Sequence, residues 1–145
     1  MKISYNGGLV EIEQAPCSPS GWLHGDGIFE TLRTIDGQVF AFSRHLRRAQ
    51  KASVSAHITL PSRELIVAAV NDLLLAQPCM NGLLRISFDR SGMWAAVHLP
   101  YDPIIRAAKL RTHPDALISK GETIKSYPSA DLPAVSATDA RHRGH

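Results

Sequence analysis

Three turn signals divide the first hundred residues of this chain and limit what it can fold into more than any other feature. Asn6-Gly7-Gly8 separates Lys2 to Tyr5 from Leu9 to Glu13, and Asp36-Gly37 separates Ile28 to Ile35 from Gln38 to Phe42. A turn containing Ser91-Gly92 stands between a run in which Leu84, Ile86 and Phe88 alternate with Arg85 and Ser87, and the apolar stretch Met93 to Leu99. Asn-Gly and Asp-Gly supply the positive φ angles of a tight hairpin turn, and the flanking β-branched, aromatic or alternating residues suit strands. The expectation is therefore a set of hairpins, and hairpins make antiparallel sheet.

Two helical patterns lie between the second and third turns. Ser43 is placed to cap a helix over His45 to His57, which carries Leu46, Ala49 and Ala56 toward one side. Ser62 is placed to cap another, with Glu64 in its first turn and Ile66, Val70 and Leu74 at four-residue spacing; Pro78 follows its end. Strands and a helical pair without regular strand–helix alternation predict an α+β class. The predicted architecture is a two-layer N-terminal domain over residues 1–112, with a mainly antiparallel sheet and two helices. A connection over 113–121 contains Pro114, Ser119 and Gly121, and residues 122–145 read as the start of a second domain.

Charge narrows the function classes. Lys and Arg outnumber Asp and Glu by 16 to 13, and the basic residues are scattered apart from Arg44, Arg47, Arg48 and Lys51 on the first predicted helix and Arg141 to Arg143 near the end. Neither a nucleic-acid module nor interleaved aromatics accompanies them, so no nucleic-acid partner is expected. No apolar run approaches the ~20 residues of a membrane span, and the start lacks an apolar leader; no membrane association and a cytoplasmic location are expected. Cys17 and Cys79 stand alone, without zinc-site spacing, so no metal is expected and both thiols read as structural or incidental.

One segment carries chemistry. Gly25-Asp26-Gly27-Ile28-Phe29-Glu30-Thr31-Leu32-Arg33, then Asp36-Gly37, then His45-Leu46-Arg47-Arg48, resembles the N-terminal signature of class IV aminotransferases. That family is built on pyridoxal-phosphate (PLP) fold type IV and includes branched-chain and D-amino-acid aminotransferases and 4-amino-4-deoxychorismate lyase. The resemblance implies that Arg48, three positions after the helix His, binds the cofactor phosphate, a task its planar, permanently charged fork suits. It also identifies Ile124-Lys125-Ser126 as similar to the catalytic-lysine segment, with Ala140 to Gly144 at matching spacing downstream. Lys125 would then hold PLP as a Schiff base and shuttle the substrate proton. Arg85 and Arg90 are the candidates for meeting a substrate carboxylate. For Glu30, Arg33 and Tyr127 the reading is structural, and His24 reads as a hydrogen-bonded loop residue.

A family member continues for about as long again, and the acidic residue for the pyridine nitrogen would lie in that continuation. The expectation is thus a fragment of a PLP-dependent aminotransferase acting on an amino acid, working as a homodimer. The alternatives are a lyase acting on aminodeoxychorismate, and a catalytically inert stand-alone domain.

Overall fold

The turns form where the glycines stand. In a computed structural model, which describes residues 1–102, β1 (Lys2–Tyr5) and β2 (Gly8–Glu11) pair antiparallel across Asn6 and Gly7, whose φ angles are 49° and 88°. β3 (Gly27–Ile35) and β4 (Gln38–Val39) pair across Asp36 and Gly37, at 47° and 72°. β5 (Asn81–Asp89) and β6 (Trp94–Pro100) form the third hairpin. The strands join in one six-stranded sheet of order β2-β1-β6-β5-β3-β4, antiparallel at every pairing. With two helices this is the α+β class that the pattern predicts; the expected boundaries at 112 and 121 lie outside the described residues.

Strand parity sorts the side chains. Ile28 and Leu32 of β3, Leu84, Ile86 and Phe88 of β5, and Trp94 and Ala96 of β6 share one face with helices α1 (Phe42–Ala56) and α2 (Arg63–Ala76). Leu84, Ile86 and Phe88 are almost wholly buried there, each contributing on the order of 1.5–3 kcal/mol through removal from water. The β3–β5 register brings Ile28 opposite Phe88 and Glu30 opposite Ile86. Gly27 opens β3 so close to its neighbour that any Cβ would collide with the Phe88 carbonyl oxygen.

The helix caps divide. Ser62 caps α2 as expected, its Oγ accepting from the Leu65 N–H at 3.2 Å. Ser43 does not cap α1: the helix starts earlier, after Ala41 at φ 52°, and Ser43 lies in its first turn, where its Oγ accepts from Arg63 Nη2 at 2.6 Å. The expected strand Gln38 to Phe42 stops at Val39, since Phe42 already belongs to the helix.

The opposite face of the sheet, which carries Arg85 and Ser87, is also covered. Segment 12–23 folds across it, closed by a bridge between Cys17 and Leu23. Ser87 is fully buried and donates to the Gly21 carbonyl at 3.0 Å. Trp22 packs edge-on against Phe29 with ring centres 4.4 Å apart. Cys17 is buried in this second cluster, as the structural reading expects, and burial pushes its thiol above the ordinary value.

A buried polar chain ties α2 to the sheet. His98 Nδ1–H donates to the Gln77 carbonyl at 2.7 Å, and Nε2 lies 2.6 Å from the Thr34 hydroxyl. Gly82 is required beside it, because a Cβ there would fall onto both His98 Nε2 and Thr34 Oγ1.

Candidate active site

Glu30 sits at the wrong parity for a charged residue. It occupies the helix-facing row of β3 between Ile28 and Leu32, and its side chain is only 5% exposed. A carboxylate so placed needs donors on every side. α1 supplies them from two positions three apart, which a helix presents on one face.

His45 Nδ1 lies 2.7 Å from Glu30 Oε2. Arg48 Nε donates to Glu30 Oε1 at 2.7 Å, and Arg48 Nη2 donates to Oε2. The Arg48–Glu30 pair is therefore bidentate, the geometry that best fixes the plane of a guanidinium. Oε2 serves two donors, so Nη2 and His45 Nδ1 approach each other to 3.3 Å while both point at the same oxygen.

The hydrogen bonds that Arg48 donates to Glu30 raise the Arg48 pKa above its ordinary value, against a smaller opposing effect of burial. Arg48 itself remains 41% exposed. Its Nε and Nη2 edge faces inward to Glu30, and Nη1 has no partner among the described residues. The arrangement can present a permanently charged, rotationally fixed donor to an anion arriving from outside.

Among the described residues expected to act, Arg48 alone belongs to this cluster. Arg85 is on the other face of the sheet, with its guanidinium 4.1 Å over the Trp22 ring and donating to the Ser20 carbonyl. Arg90 follows β5 and donates through Nη1 to the Ala56 carbonyl at 2.8 Å, at the C-terminal end of α1. Lys125 and Tyr127 lie outside the described residues. The expected loop residue His24 is held through its backbone N–H, which donates to the Pro16 carbonyl at 3.2 Å. No group of three or more His, Cys, Asp or Glu side chains suited to a metal occurs among the described residues, and none of their helices is long and apolar enough to cross a membrane.

The structural reading of Glu30 leaves out its two partners on α1, His45 and Arg48. The signal is present in the sequence. An acidic residue at the core-facing parity of a strand demands a cation, and His45 and Arg48 are basic residues at helical spacing shortly after it.

Comparison with known proteins places this geometry. The family model for amino-transferase class IV matches residues 27–139, from the glycine that opens β3, through the whole Glu30–His45–Arg48 cluster. The D-alanine aminotransferase of Staphylococcus epidermidis is 30% identical over 109 residues, covering 71% of this chain and 38% of that protein. Among solved structures, the branched-chain aminotransferase of the archaeon Thermoproteus uzoniensis with norvaline superposes at TM-score 0.58 with 22% identity, covering 70% of this chain and 41% of that one. The branched-chain amino acid aminotransferase of Escherichia coli does so at 0.56 with 16% identity, over 69% and 41%. These two likenesses are of fold. The chain spans between 29% and 38% of the length of the curated relatives it matches. By the match over residues 27–139, the chain belongs to the class IV aminotransferase family.

Proposed function

We propose that the chain provides the phosphate-anchoring part of a PLP site in a longer enzyme that moves amino groups between amino acids and oxo acids. The observation that carries this reading is the Arg48 guanidinium, clamped from within by a buried carboxylate and exposed on its far side. A phosphate suits this donor: it takes charged hydrogen bonds, and a pre-oriented Arg loses little freedom in making them. Kinship with a D-alanine aminotransferase supports an amino acid as substrate.

When bound, PLP supplies an electron sink for bond-breaking at the α-carbon of an amino acid. The rest is the work of side chains. Arg48 binds the phosphate, Glu30 fixes the plane of Arg48, and His45 completes the shell of Glu30. Lys125 is the proposed residue that carries the cofactor and moves the α-proton. Arg85 and Arg90 are the proposed carboxylate contacts; to act, each must share its guanidinium with the carbonyl it already serves. A homodimer is part of the same reading.

The test is reductive trapping. PLP added to the 145-residue chain, followed by borohydride and peptide mapping, should label Lys125 above every other lysine. Labelling spread evenly over the lysines would sink the assignment of Lys125.

A further inference from the structure

Residues of α1, α2 and the segment between them line a cleft of about 220 Å³ that includes none of Glu30, His45 and Arg48. Leu46 of α1 and Ile66 of α2, both buried, make its floor, and Leu60 and Pro61 of the connecting segment make a wall. Arg47 and Arg63 stand at its rim, and no lining residue is acidic. Arg63 is fixed there, because its Nη2 bridges from the first residue of α2 to Ser43 Oγ in the first turn of α1. Arg47 is exposed and has no ion-pair partner among the described residues. Glu64 is the nearest acidic residue in sequence to Arg63, and it does not line the cleft.

We propose that this cleft binds a small amphipathic carboxylate, with its alkyl body on Leu46, Leu60 and Ile66 and its head group between Arg47 and Arg63. Apolar floor and cationic rim together are complementary to that chemistry. The size limits the body: pockets for drug-sized ligands run to roughly 300–1,000 Å³, so a chain of a few carbons is the fit. The proposal is independent of the PLP reading, since it uses none of the residues of that site.

Hexanoate, butanoate and hexanol serve as probes in methyl-detected NMR titrations of the 145-residue chain. Hexanoate should shift the Leu46, Leu60 and Ile66 methyls to saturation. Each methylene buried favours binding about fourfold, so butanoate, two methylenes shorter, should bind about sixteenfold more weakly. Arg47→Gln and Arg63→Gln should each weaken hexanoate several-fold while the rest of the spectrum stays unchanged. Arg47→Gln keeps the Ser43 contact intact, so it separates lost charge from altered helix packing. Failure of hexanoate to saturate, hexanol binding as tightly as hexanoate, or unchanged affinity in Arg47→Gln would each overturn the proposal.

Discussion

The two faces of the sheet hold their arginines in different ways. On the helix face, Arg48 lies on a carboxylate that is itself buried, so its orientation is fixed by charge and two hydrogen bonds. On the far face, Arg85 lies on the Trp22 ring and donates to a backbone carbonyl. The first arrangement sets an ion in a core, where it is costly to disturb. The second sets a cation on a cover formed by segment 12–23, where each contact is worth about 1 kcal/mol or less. A residue that must aim at a ligand with constant geometry benefits from the first kind of support.

If this contrast is right, mutational costs should rank by face. Glu30→Ala should be the largest, because it removes the shared acceptor of Arg48 and His45 and opens a small cavity; about 3 kcal/mol in urea unfolding is expected. A cost no greater than that of Arg85→Ala would break the comparison. Arg48→Ala should follow at about 2 kcal/mol, since it leaves the buried Glu30 with His45 alone, discounted for the partial exposure of Arg48. The raised Arg48 pKa adds stability that is present below its ordinary alkaline value and lost only above it. That contribution is therefore flat across the neutral range. Arg85→Ala should cost about 1 kcal/mol, with quenching or unquenching of Trp22 fluorescence as the accompanying sign.

The smallest effect belongs to the sheet edge. Glu11 accepts from Lys2 at 3.0 Å and from the chain amino group at 3.1 Å, and these bonds lower its pKa from 4.5, Lys2 being the larger cause. A lowered folded-state value adds stability above the unfolded value and loses it as pH falls through the folded one. Glu11→Gln should therefore lower stability slightly at neutral pH and remove the fall in stability as pH drops below about 4.5, where the two proteins converge.

Local chemistry made much of this fold legible. Asn6-Gly7, Asp36-Gly37 and Ser91-Gly92 each sit at a hairpin, and Ser62 caps α2, because turns and caps are decided by the residues that form them. What covers a face is not a local property. Arg85 and Ser87 alternate with apolar residues as an exposed row would, yet segment 12–23 buries Ser87 through a loop with no period to detect. Ser43 failed as a cap for a similar reason: Ala41 adopts a left-handed conformation and starts the helix before it. In the site, the glycine-flanked motif pointed to Arg48, whereas the role of Glu30 depends on which face β3 turns toward α1.

The central claim is that Arg48, held by Glu30, grips a phosphate. The direct measurement compares the affinity of the 145-residue chain for PLP and for pyridoxal, which lacks the phosphate, in the unmodified protein and in Arg48→Gln. The account predicts that the unmodified chain prefers PLP by tenfold or more and that Arg48→Gln erases this preference while leaving pyridoxal binding unchanged. Equal affinity for the two compounds in the unmodified chain, or a preference that survives in Arg48→Gln, would contradict it.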